Sequence, residues 1–228
     1  MGQGAAGNRA CFRFRATGGN DSVIVSSENQ LGCCFCSGKK PNAVILAGAN
    51  ETVFIVHHAP LVGHAKGEFI VKTGEPISVY RFLATDGLVR CIYHTEKGKE
   101  ITECVVSQIG GCVMPSAVLD QPSPIDMEAL TDVGIIAFPI NEVRKLEEQY
   151  PEVLRMENEA LTECWLEQWE MKRIRYEYDA KERYLWFCRT HPGAADRMMN
   201  KHIASFLDMS PVSLSRIRKQ LAQENGSE

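Results

Sequence analysis

From Glu152 to about Tyr178 the chain runs without a glycine or a proline and is dense in helix-forming residues. At about 1.5 Å per residue, an unbroken helix over this span approaches 40 Å. Leu154, Leu161, Trp165 and Trp169 stay near one side of it, with Met171 and Ile174 close by. So long a helix with two tryptophans on its stripe needs a broad apolar partner. A second copy of the same helix is the natural one, and packing on the chain's own strands is the alternative. The segment also divides the chain, because the residues before it and after it carry different periodicities.

Before it, from Gly67 onward, short β-rich runs alternate with turn signals. Glu68–Lys72 precedes Thr73-Gly-Glu-Pro, Ile77–Ala84 precedes Thr85-Asp-Gly, and Leu88–His94 precedes Glu96-Lys-Gly-Lys. Glu100–Gln108, Met127–Leu130 and Gly134–Phe138 continue the series, with a proline-rich loop at Gln121–Pro124. Regular strand-turn spacing of this kind predicts an antiparallel barrel or jelly roll, with Asp86-Gly87 and Lys97-Gly98 as its strongest turns. At Pro139 the pattern changes to a short helix, Asn141 to Tyr150, stopped before Pro151. Residues 1–60 set no firm pattern. Val23–Val25, Ala43–Leu46 and Val53–Val56 are candidate strands within them.

After the long segment a third helix is expected over Asp179–Thr190, with a break at His191-Pro-Gly193. Asn200–Leu221 then reads as two short helices joined by a tight turn. Counting from Asn200, apolar residues fall at positions four, eight, ten, fifteen and eighteen (Ile203, Leu207, Met209, Leu214, Ile217), and the small Ala204 falls at five. That is helix-turn-helix spacing, with an alanine where two helices cross closely. Ser210-Pro211 starts the second helix, since the hydroxyl can cap free N–H groups and proline suits the first position. Position nine, where glycine is usual, is Asp208, which tolerates the left-handed conformation better than most residues. An ordinary helical hairpin in a core is the competing reading.

Charge distribution supports the DNA-binding one. Met171–Leu221 holds eleven Lys/Arg against five Asp/Glu, a balance of +6, so the remainder carries −10 of the chain's net −4. A basic C-terminal part on an acidic body suggests a local polyanion-binding module. No run of about 18 apolar residues suggests a membrane span, and no signal peptide is evident. Nine cysteines, most in apolar segments, fit a reducing cytoplasm. Cys33, Cys34 and Cys36 invite a metal or iron–sulfur reading, but adjacent cysteines rarely ligate one centre, and ordinary or redox-active thiols are the alternatives. His57 and His58 are haem-ligand candidates on the same terms. No cofactor or metal is expected. No phosphate loop, H-E-x-x-H or G-x-S-x-G is present, and no enzymatic activity is expected.

A jelly roll, a long helix and a helix-turn-helix in that order resemble the Crp/Fnr family of bacterial transcription regulators. The resemblance rests on Lys66–Glu75 with Gly87-Leu-Val-Arg and Gly98-Lys-Glu-Ile, and on Asp179–Tyr184 with Asn200–Leu207 and Ser213–Arg218. It covers Gly63 to about Leu221 and looks like a Bacteroidetes-type branch. It implies an α+β fold: an antiparallel cyclic-nucleotide-binding-like jelly-roll barrel, a long dimerisation helix and a C-terminal helix-turn-helix. Sensing would fall to residues 61–150, dimerisation to 151–178 through Leu154, Leu161, Trp165 and Trp169, and DNA binding to 179–228, with 1–60 unassigned. The β-wing of many members is expected to be absent, since neither 190–200 nor the residues after Leu221 leave room for it. Lys201, His202, Ser210, Pro211, Val212, Ser213, Ser215, Arg216, Arg218 and Lys219 are the candidate DNA-binding residues, with Arg216 foremost. Pro211 and Val212 stand where the family often has polar readers.

The implied partners are a near-palindromic double-stranded operator, a second subunit, RNA polymerase and an unidentified small effector, all in the cytoplasm and off the membrane. Cyclic AMP is not the expected effector. The family's Gly-Glu and Arg-Ser positions align near Met114-Pro115 and on Ser123-Pro124. From Glu100 to Val143 there is no Lys, Arg or His against seven Asp/Glu, whereas a buried phosphate needs convergent donors. Two other functions stay open: an interaction module of the same fold without tight DNA binding, and a cupin-like metal enzyme.

Overall fold

The structure is a computed structural model that describes residues 61–115 and 121–225, with four short strands nearer the start of the chain. Those four, β1 (Arg13–Arg15), β2 (Ser22–Ser26), β3 (Ala43–Ala47) and β4 (Val53–His57), form one sheet in chain order, with β2 and β3 parallel. The three apolar runs read from the sequence are thus strands. Cys33, Cys34, Cys36 and His58, and the side chain of His57, lie outside the described residues.

Seven more strands follow: β5 (Leu61–His64), β6 (Phe69–Val71), β7 (Val79–Leu83), β8 (Val89–His94), β9 (Glu100–Val106), β10 (Asp126–Ala129) and β11 (Val133–Pro139). They form two open antiparallel sheets, β6-β10-β8-β9 and β5-β11-β7, so the jelly-roll reading holds and no barrel closes. Alternate residues of both sheets meet in a shared apolar layer. Val71, Val89, Cys91, Met127 and Ala129 come from one side and Leu83, Val133 and Ile135 from the other, all 4% exposed or less.

Lys97-Gly98 is the expected hairpin turn between β8 and β9, with Gly98 at φ +75° and its N–H bonded to Thr95. Asp86-Gly87 is not a hairpin. It carries the chain from β7 to β8, from one sheet to the other. Glycine is needed there for space, because a Cβ would lie 2.4 Å from Val133 Cγ1.

Six helices follow: α1 (Ile140–Gln149), α2 (Pro151–Glu177), α3 (Ala180–Thr190), α4 (Ala194–Arg197), α5 (Asn200–Phe206) and α6 (Pro211–Asn225). α1 and the first turn of α2 cover the outer face of the three-stranded sheet, burying Ala84, Ile136 and Phe138 against Val143 and Val153. The Tyr80 hydroxyl of β7 donates to the Glu157 carboxylate of α2. Glu147 of α1 lies close to the same carboxylate. Its pKa is raised by burial first and then by that neighbour.

The far end of α2 returns to the core at Met171 and Ile174. Between these anchor points Leu154, Leu161, Trp165 and Trp169 are 49%, 41%, 65% and 54% exposed. Trp165 and Trp169 stack with ring centres 6.3 Å apart.

Asp179 starts α3 with a capping box: it accepts from the Glu182 N–H, and Glu182 accepts from the Asp179 N–H. α3 to α6 then close around Trp186, Phe187, Ile203, Phe206 and Leu214. The same cluster includes Leu88, Val105 and Leu130 of the sheet region, so the helical unit sits directly on the strands. Among the described residues no strand follows β11, in keeping with a helix-turn-helix that lacks a wing.

Candidate nucleic-acid interface

The two-helix unit has the local geometry its spacing dictates. Ala204 is fully buried where α5 passes α6, beside Ile203, Leu207 and Leu214. α5 ends at Phe206, and two residues on Asp208 adopts φ 50°, the one non-glycine residue with positive φ among those described. The Met209 N–H then reaches back to the Ala204 carbonyl at 2.9 Å. Ser210 caps α6: its Oγ accepts from the Ser213 N–H at 3.0 Å and lies 2.8 Å from the Ser213 hydroxyl. Pro211 takes the first helical position, where its missing N–H costs nothing.

α6 is buried on one side by Leu214 and Ile217 and open on the other. Pro211, Val212, Ser215, Arg216 and Lys219 line a shallow depression on that open side. Val212 is 59% exposed. Arg216, Lys219 and Lys201 of α5 are exposed cations on the same unit. A helix whose open side presents two cations and a hydroxyl can meet phosphate oxygens and base edges together.

Two of the residues expected at a DNA surface are occupied elsewhere. His202 faces inward, 3% exposed, and its Nδ1 lies 2.6 Å from Arg90 Nη1 of β8. A guanidinium can only donate, so Nδ1 is the acceptor and the ring is neutral. Arg90 also pairs with Glu128 at 2.6 Å and Glu100 at 3.4 Å. Arg218 is a strut. It donates to the Ala195 carbonyl and to Asn200 Oδ1, both at 3.0 Å, and its guanidinium lies over the Tyr184 ring. Helical periodicity put both residues on the polar side of their helices. It could not show that a buried arginine on a distant strand needs an acceptor, or that α4 offers a free carbonyl.

The Arg90–His202 contact belongs to a wider seam between α5 and the four-stranded sheet. The Thr102 N–H of β9 donates to Ser205 Oγ at 2.9 Å, and Arg197 pairs with Asp86 at 2.9 Å. Within this seam the His202 pKa is pushed down to about 4 from 6.5, chiefly by burial, then by Arg90 and Lys201, while Glu128 and Glu100 act the other way. The seated unit therefore binds fewer protons than the released one between those two values. Seating is complete above pH 6.5 and weakens as pH falls through the window.

We expect the protection of the Thr102 amide against hydrogen exchange to drop on acidification from pH 6.5 to 4.5, by at most about tenfold per pH unit. His202→Asn keeps an acceptor for Arg90 and removes the titrating ring, so its protection should be flat over that range. Equal pH dependence in both proteins would contradict the assignment.

The sandwich also holds a cation outside the interval that the sequence shows to be free of them. Arg81 of β7 shares the strand face of Leu83, is half-buried, and is pushed to a lower pKa by burial ahead of the influence of Glu75.

Comparison with protein-family profiles and with curated proteins gives no match. Solved structures do match. FixK2 from Bradyrhizobium japonicum superposes with a TM-score of 0.62 at 19% identity, covering 72% of this chain and 85% of that one. TTHB099, a CRP-family transcriptional regulator from Thermus thermophilus, gives 0.58 at 21% identity over the same shares of the two chains. A transcriptional regulator of the crp/fnr family from Eubacterium rectale gives 0.54 at 15% identity, over 72% and 79%. With a two-sheet jelly roll, a long connecting helix and a wingless helix-turn-helix in that order, the chain has the fold of the Crp/Fnr transcriptional regulators.

Proposed function

We propose that this protein is a dimeric, sequence-specific DNA-binding transcription regulator. The observation that carries the reading is α6. Its inner face is fixed by Leu214 and Ile217, while Ser215, Arg216 and Lys219 stand exposed on the outer one. Two such helices, held about 34 Å apart by a two-fold axis, would enter successive major grooves of a near-palindromic operator. Residues 179–228 would do the reading and α2 the pairing. Residues 61–150 would sense an effector other than a cyclic nucleotide held in the family's usual way. RNA polymerase is the further partner such a regulator would engage. Solved regulators of this fold lend support, as does the basic balance of the C-terminal part.

A mobility-shift assay on the gene's own upstream region tests the reading. Retardation that competitor DNA cannot relieve and that weakens steeply with salt is the expected result. Retardation that any DNA relieves equally would instead favour an interaction module that has the fold without the reading function. Bound metal in the purified protein would favour the cupin-like alternative.

A further inference from the structure

Five free cysteines lie among the described residues, and two of them meet across the junction of the sandwich and the long helix. Cys112 follows the Gly110-Gly111 turn, which is tied to β7 on both sides: Gly110 N–H to Leu83 O at 2.7 Å, Leu83 N–H to Gly111 O at 2.9 Å, and Val113 N–H to Arg81 O at 2.8 Å. Cys112 itself is the bridge partner of Phe82. Residues opposite one another in an antiparallel bridge project from the same face of a sheet. Phe82 projects toward α1 and α2, within the cluster that holds Val143 and Val153, and so does Cys112.

On α2, Cys164 lies three turns beyond Val153 and two turns before Met171. At about 100° per residue the three share one side of the helix. Val153 and Met171 are both buried against the body of the protein, so that side faces the sandwich. The exposed stripe of Leu154, Leu161, Trp165 and Trp169 is centred about 100° around the helix from it. Cys164 hydrogen-bonds the Cys112 thiol and yet remains exposed to solvent.

We propose that Cys112 and Cys164 form a reversible disulfide, a redox modification site that staples the middle of α2 to the sandwich. The oxidant is a hydroperoxide, for which hydrogen peroxide serves as the probe. Cys164, the accessible thiol, loses its proton and attacks a peroxide oxygen. The O–O bond breaks, one water leaves, and Cys164 becomes a sulfenic acid. The Cys112 sulfur then displaces the hydroxyl, the S–S bond forms, and a second water carries off the Cys112 proton. Two thiols and one hydrogen peroxide give one disulfide and two waters, with two electrons passing from the sulfurs to the peroxide. A thiol reductant reverses the step through a mixed disulfide. Cys112 is suited to the resolving role. The hydrogen bond its own S–H makes to Cys164 and its burial hold its thiol well above the ordinary range, so it stays protonated until Cys164 is oxidised beside it. What the staple does to DNA binding rests on the regulator reading above, whereas the bond does not.

The test uses the full-length reduced protein, treated with one equivalent of hydrogen peroxide, alkylated, and digested without reductant for mass spectrometry. The expected product is a Cys112–Cys164 linked peptide in most chains, lost on addition of dithiothreitol. In Cys164→Ser, an exposed helical position that tolerates serine, the peptide should be absent and Cys112 should be recovered as an alkylated thiol. Recovery of Cys164 only as sulfinic or sulfonic acid beside a free Cys112 would overturn the proposal. So would a Cys164–Cys164 bond between two chains. No DNA enters the experiment, so its failure is distinct from failure of the regulator reading.

Discussion

Replacing Arg216 by alanine is expected to cost about 1–3 kcal/mol of operator binding per subunit, at least about tenfold in a dimer that uses both copies. Arg216 stands on the open side of α6 with Pro211, Val212, Ser215 and Lys219, and its removal takes nothing from the core formed by Leu214 and Ile217. The circular dichroism, thermal midpoint and sedimentation of the variant should therefore match those of the parent. A base contact and a phosphate contact give different signatures. Loss of discrimination between operator and mutated operator marks the first. A uniform weakening with a salt slope shallower by about one marks the second. Unchanged affinity in a folded variant would remove Arg216 from the interface. Arg218→Ala should behave differently, loosening α6 from α4 and the start of α5 and lowering stability, because its donors are already spent on Ala195 and Asn200.

The double change Trp165→Glu with Trp169→Glu is expected to separate the subunits, raising the dimer dissociation constant at least about a hundredfold. The two indoles are more than half exposed in the single chain and stack on one another, an arrangement that leaves a large apolar area without cover. Two carboxylates per chain would place four like charges across a two-fold axis, where desolvation and repulsion act together. Operator binding should fall with the dimer, since each half-site would be bound alone. Fluorescence gives an internal control. The chain has three tryptophans, and the remaining one, Trp186, is 7% exposed, stacked near Phe206. The variant should lose its solvent-exposed emission and keep a blue-shifted signal if α3 is intact. Sedimentation as a dimer would show that α2 packs elsewhere.

The elements of this fold are local and could be read from the chain, whereas their pairings could not. Every strand expected between Glu68 and Phe138 forms, and all but β10 carry β-branched residues. β5 carries little signal in the sequence because it is four residues long and holds Gly63. The sheet each strand joins depends on partners far along the chain. Asp86-Gly87, which has the composition of a hairpin turn, is therefore a crossing between sheets. The helix-turn-helix was legible down to the left-handed Asp208, since capping, small-residue contact and turn geometry are encoded within a few residues. His202 was not. Its burial comes from Arg90, more than a hundred positions earlier, and no periodicity reports that. Arg81 lies outside the cation-free interval for a simpler reason: that interval begins at Glu100, and β7 ends before it.

The apolar cluster that joins Leu88, Val105 and Leu130 to Phe187, Ile203 and Leu214 has a consequence for how the chain comes apart. Helices that share side-chain contacts with strands do not melt independently of them, because removing either partner exposes the other's apolar surface to water. The helices α3 to α6 and the sandwich thus belong to one cooperative unit in this arrangement, and Met171 and Ile174 tie the far end of α2 into it. A fragment cut at Tyr178 would carry a bare apolar patch where the sheet had been. Exchange of α3 to α6 for the helices of another protein of this fold would succeed only if the replacement offered the same three strand-side residues a matching surface.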